Sequence, residues 1–158
     1  MKALASLTAS LLFAIGPGAQ AEPDKEIGQK VVYHINYGDP KKQAGALSNI
    51  QNHIKAAGAE NLDLRVVLHG NGLSMLLDPA ALQRLPRFKH ANVDFQTSAK
   101  IDALKLQGVN FHVCASTIRA RGVDVERDLY DVAPADVVPS GIAELARLQG
   151  QGYVYIKP

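Results

Sequence analysis

Apolar, β-branched runs alternate along this chain with segments of helical periodicity, and that alternation limits the folds open to it more than any other feature. Lys30 to Tyr37 reads as a first strand, Leu62 to His69 as a second, Val109 to Cys114 as a third and Tyr153 to Ile156 as a last. Between the first two, Asp39 suits an N-cap and Pro40 a first helical position. Ala44, Leu47, Ile50 and Ile54 then recur at helical spacing until Gly58. Asp78-Pro79 starts a short helix that Pro86 ends, and Arg87 to Asp94 has no period and reads as a loop. Thr97 or Ser98 is the expected cap of a helix carrying Ile101 and Leu104, with Gly108 at its stop. A short helical turn follows Cys114, then a polar stretch from Asp124 to Ala135 and a helix over about Pro139 to Gln149. No internal repeat or low-complexity tract interrupts this order.

Strands alternating with helices predict an α/β domain: a mostly parallel sheet covered on both faces and joined by right-handed crossovers. In such a sheet the ligand crevice lies beyond the carboxyl ends of the strands. Three polar strand ends converge there: Asn36 and Tyr37, His69, and Cys114. Function is therefore to be sought at that edge.

The first residues direct the chain elsewhere. Met1-Lys2 is a basic start, Ala3 to Ile15 is apolar but too short to span a bilayer, Gly16-Pro17-Gly18 breaks it, and Ala19-Gln20-Ala21 has the small-x-small form of a cleavage site. A signal peptide over residues 1–21 and a single mature domain over 22–158 are expected, in a bacterial periplasm and with no membrane attachment after cleavage. Loss of Lys2 with the leader lowers the formal charge of +2 by one. A near-neutral, interspersed surface offers no electrostatic case for nucleic acid or an acidic membrane. No cofactor is implied, because the glycines form neither a dinucleotide fingerprint nor a phosphate loop.

Cys114 is the only cysteine, so no internal disulfide can form. It stands where a strand meets a helix N-terminus, with Arg119 and Arg121 in the next two turns, and both influences lower a thiol pKa. An inert core thiol is the competing reading, since cysteine is among the most buried residue types. His69-Gly70-Asn71-Gly72 offers an imidazole and backbone amides at the same edge, either to serve the thiol or as an ordinary turn. His112 lies two residues before Cys114 on the same strand face, where packing under a covering helix is the simpler account. His34, His69, His112 and Cys114 lack recognised metal spacing, so no metal site is assigned. Arg119 and Arg121 are candidate anion-binding residues, with surface solvation as the alternative.

The order of elements, the His69-Gly70 turn, the phrase Gly108 to Cys114 followed by Arg121-Gly122, and the closing Pro139 to Leu145 and Gly152 to Pro158 together resemble the DsrE/DsrF-like family. The resemblance implies a flavodoxin-like three-layer sandwich assembled into homotrimers or hexamers. It also implies that Cys114 corresponds to the cysteine that accepts sulfur as a persulfide in sulfur relay. On that reading His69 or Arg119 would support the thiolate, and the residues already placed at the strand ends and turns, Asn36, Tyr37, Gly70, Arg119 and Arg121, would line the crevice. A donor or acceptor protein, or a small sulfane compound, would be the partner, and any turnover would be sulfurtransferase-like. The alternative on the same fold is a non-catalytic binding or scaffold module that acts through its oligomer surface.

Overall fold

The computed structural model describes residues 28–158, so the expected leader and the start of the mature chain lie outside the described residues. Five strands form one parallel sheet: β1 (Gln29–Ile35), β2 (Leu62–Leu68), β3 (Asn110–Cys114), β4 (Val137–Val138) and β5 (Val154–Ile156). Their order across the sheet is β4-β3-β2-β1-β5. The helices are α1 (Pro40–Ala57), α2 (Phe95–Leu106), α3 (Ala115–Arg121), the single turn α4 (Val125–Asp128) and α5 (Gly141–Gly150). The sheet is parallel throughout, and among the described residues no helix is long and apolar enough to cross a membrane.

The strand order decides where the helices lie. From β1 to β4 the chain steps in one direction, and right-handed crossovers then put α1 and α2 on the same face. The step from β4 back to β5 runs the other way. The same handedness therefore carries α5 across the opposite face, where it is the only helix among the described residues. Strand alternation sorts the side chains to match. Val31, Tyr33, Ile35, Val66, Leu68, Phe111 and Val113 join α1 and α2 in the main core. Val32 and Val67 meet Leu145, Leu148 and Tyr153 in a smaller second cluster. Full burial of a Leu, Ile or Phe contributes about 1.5–3 kcal/mol, so the α1 and α2 side supplies most of the hydrophobic stabilisation.

Local chemistry follows the sequence closely at α1. Asp39 accepts the Lys42 N–H at 2.9 Å and Pro40 opens the helix. At α2 the cap is Asp94, which accepts the Thr97 N–H at 2.7 Å, rather than Thr97 or Ser98. The helix starts earlier than its apolar pattern because Phe95, in its first turn, is 87% exposed and adds nothing to that pattern. The two-residue β4 fell within no recognisable run, and the turn α4 lies in the stretch that read as merely polar.

The turn after β2 is a 3-10 helix, Gly70–Met75, seated on the end of β1. Gln43 holds it there. Its amide is 2% exposed, donates to Tyr37 O at 2.7 Å and to Ser74 Oγ at 3.0 Å, and accepts from Asn92 Nδ2 at 2.6 Å. A side chain is excluded at Gly72, where a Cβ would lie 2.0 Å from the Ile35 carbonyl oxygen. Gly72→Ala is expected to cost at least about 2 kcal/mol of unfolding free energy, because backbone must move to admit it. Urea denaturation would show this as a lowered midpoint.

Candidate functional site

β3 ends in Cys114, which is 4% exposed and occupies the N-cap position of α3. The thiol makes no N-cap hydrogen bond to α3, but polar groups face the sulfur from two sides. The Thr117 hydroxyl and the Ser116 and Thr117 backbone N–H groups approach from α3, and the Gly141 N–H approaches from the start of α5. Burial pushes the thiol pKa up, but these donors together outweigh it and hold the thiol below its ordinary value. Thr117 is itself oriented. Its Oγ1 accepts the Gly70 N–H at 2.9 Å, which leaves its own proton free for the sulfur.

The arginines expected to lower this pKa act elsewhere. Arg119 is exposed and reaches Ser116 Oγ at 3.3 Å. Arg121 donates to Arg87 O at 3.1 Å and Asn71 Oδ1 at 2.8 Å, and its guanidinium lies 4.3 Å from the centre of the Phe88 ring. Neither is a cause of the Cys114 shift, which comes from uncharged donors. Two amides of the 70–72 turn are likewise occupied, because Gly70 N–H goes to Thr117 and Gly72 N–H to His69 O. Tyr37 donates its hydroxyl to Pro158 O at 2.9 Å and packs on the main core. Asn36 is partly buried beside the same turn.

His69 follows β2 directly, as Cys114 ends β3, and Leu68 pairs with Val113 one residue before them. Gly141 sits between the two. Its N–H serves the sulfur, and a Cβ on it would lie 2.9 Å from His69 Cβ and 3.3 Å from the imidazole. Only glycine therefore lets α5 begin in this gap, and no hydrogen bond joins His69 to the thiol. His112 is held instead by α5, with its Nδ1 2.8 Å from Glu144 Oε1.

The imidazole of His69 has a different partner. His69 Nε2 lies 2.6 Å from His34 Nε2, and His34 Nδ1 lies 2.6 Å from the Tyr155 hydroxyl. Burial, then His69 and Lys157, push the His34 pKa down to about 4, and burial and Lys157 also lower that of His69. Both rings are neutral at pH 7. Among the described residues no group of three or more His, Cys, Asp or Glu side chains converges as a metal site. Sequence reasoning identified Cys114 and His69 but missed Thr117, Gly141, His34 and Tyr155 as their partners. The Ser140-Gly141 pair, a glycine at a helix start, was the available signal.

A parallel sheet between unequal helical layers, with one buried thiol at the carboxyl ends of its strands, defines an α/β protein with a single cysteine at that edge. The chain belongs to the DsrE/DsrF-like family, whose model matches residues 29–158. The protein of unknown function MTH1491 from Methanobacterium thermoautotrophicum is similar in structure, with a TM-score of 0.63 and 27% identity over 82% of this chain and 99% of that one. The ychN protein from E. coli shares the fold at a TM-score of 0.53 and 18% identity, over 82% of this chain and 99% of its own. No curated protein matches the chain.

Two outcomes follow from this geometry. Thr117→Val removes a donor to the sulfur and should raise the thiol pKa, slowing alkylation of Cys114 at pH 7 by about fivefold. For His34 the folded pKa lies below the unfolded one, so the unfolded chain takes up the proton first as pH falls. Its contribution to stability is complete above about 6.5 and is lost as pH falls toward about 4. Denaturation midpoints measured across that window should decline, and His34→Gln should flatten the decline.

Proposed function

We propose that this protein is a periplasmic sulfur carrier that holds sulfane sulfur as a persulfide on Cys114. Membership of the DsrE/DsrF-like family is consistent with sulfur relay in general. The observation that carries the finer reading is the state of Cys114: one cysteine in the whole chain, held by neutral donors with its pKa lowered despite burial. The Cys114 thiolate attacks the outer sulfur of a donor, the donor's own S–S bond breaks, and the leaving group departs with the bonding pair. An acceptor thiolate then takes the outer sulfur from the persulfide and Cys114 returns as thiolate. No resolving cysteine and no external oxidant is needed.

Export rests on the sequence of residues 1–21, and the donor in that compartment is a protein or a small sulfane compound. Assembly into trimers or hexamers is part of the same reading. A second reading is a non-catalytic scaffold on the same fold. It is favoured by the 4% exposure of Cys114 together with the 87% and 90% exposure of Phe95 and Leu106 on α2.

Incubating the mature protein with thiosulfate or polysulfide separates the two. Intact mass spectrometry should find one added sulfur atom that dithiothreitol removes and that Cys114→Ser never acquires. Absence of any reducible adduct with either donor would overturn the carrier reading and leave the scaffold.

A further inference from the structure

The contact between His34 and His69 is not a stack of rings. Their planes are 20° apart and their centroids 4.8 Å apart, while the Nε2 atoms are only 2.6 Å apart. The centroid separation exceeds the nitrogen separation by about two ring radii, so the rings lie end to end and close to one plane. Two bare lone pairs at that distance would repel. A proton must therefore lie between the nitrogens, one imidazole donating and the other accepting.

Tyr155 fixes what happens at the other nitrogens. With both rings neutral, each carries one proton, and the chain Tyr155 to His34 to His69 has two self-consistent polarities. In the first, Tyr155 O–H donates to His34 Nδ1, His34 Nε2–H donates to His69 Nε2, and His69 Nδ1 holds a proton. In the second, His69 Nε2–H donates to His34 Nε2, His34 Nδ1–H donates to the Tyr155 oxygen, and His69 Nδ1 is a bare acceptor. No protein group hydrogen-bonds to His69 Nδ1 among the described residues, and none of their buried side-chain nitrogens or oxygens lacks a partner. His69 Nδ1 is thus open to solvent or to a bound molecule. At the other end of the chain Tyr155 is 41% exposed, so it is accessible to solvent.

We propose that Tyr155, His34 and His69 form a switchable proton relay that protonates the leaving group of the sulfur donor beside Cys114. The inference rests on the carrier reading above and names the proton source for it. The thiolate of Cys114 forms a bond to the outer sulfur of an alkyl persulfide, the donor S–S bond breaks, and the departing alkyl thiolate takes the proton from His69 Nδ1. His69 Nε2 then takes the proton of His34 Nε2, His34 Nδ1 takes that of Tyr155, and Tyr155 recovers one from water. The relay ends in its second polarity with no change of oxidation state and no charge left on either imidazole. Burial, the second imidazole and Lys157, which disfavour a charged His34, favour this neutral shuttling over a standing imidazolium. His69 is the acid, and His34 and Tyr155 are positioning residues that set its tautomer and refill it.

The test compares two attacks by the same thiol that differ only in what leaves. Iodoacetamide releases iodide and an aromatic disulfide releases an acidic thiol, so neither needs a proton. Glutathione persulfide and glutathione disulfide release an alkyl thiol, which does. His34→Gln and Tyr155→Phe should slow the alkyl reactions about tenfold or more and leave the other two within about twofold. Tyr155→Phe, at a half-exposed position, keeps the comparison open should His34→Gln fold poorly. In the wild-type protein, 15N NMR should show a coupling between His34 Nε2 and His69 Nε2 through the hydrogen bond. Equal slowing in all four reactions, no slowing in any, or an absent coupling would overturn the relay. Failure of the carrier reading looks different: glutathione persulfide leaves no sulfur on wild-type Cys114, while the disulfide pair and the coupling still test the relay.

Discussion

The return of the chain from β4 to β5 is the constraint on which the rest of this structure depends. Right-handed crossover leaves α5 only one face to cross, the one that α1 and α2 do not cover. A single ten-residue helix cannot cover a five-stranded sheet. The α1 side is consequently a dense apolar core, while the α5 side carries His34, Arg65, His69, His112 and Cys114 among few apolar contacts. Chemistry gathers on the thinly covered face because polar side chains there can still reach donors, water or one another.

The start of α5 turns that topology into a site. Gly141 enters between the ends of β2 and β3, turns its N–H toward Cys114, where it favours the thiolate, and lays its bare Cα against His69. The thiol is activated by oriented neutral donors rather than by a nearby cation. Preorganised donors in a low-dielectric setting stabilise a thiolate without the desolvation cost of burying an arginine. The same economy governs the histidines. Burial keeps both neutral, and neutral imidazoles conduct a proton by exchanging tautomers where charged ones would bind it.

Much of the fold was legible in local patterns. Asp39-Pro40 marks the start of α1, Gly58 its end, and β-branched runs mark β1, β2 and β3, because caps, prolines and strand periodicity act over a few residues. The Asp94 cap was missed because exposed Phe95 breaks the apolar pattern of α2. The two residues of β4 were missed because so short a strand has no period to read. At the site, Cys114 and His69 were legible as polar ends of apolar strands. Thr117, Gly141, His34 and Tyr155 were not, since each gains its role from a partner far away in the chain.

By itself the sequence determined the class of fold, the single thiol and the edge of the sheet where it lies, which follow from local periodicity and residue type, while its motifs carried the resemblance to the family. Tertiary structure alone decided what surrounds that thiol. Arg119 and Arg121 are near Cys114 in sequence yet turned to other partners, whereas Gly141 and Thr117 reach it from α5 and α3. His34 meets Tyr155 across 121 residues of chain. The physical reason is that hydrogen bonding and desolvation act through space over a few ångströms, and which groups come that close is set by strand order and crossover handedness.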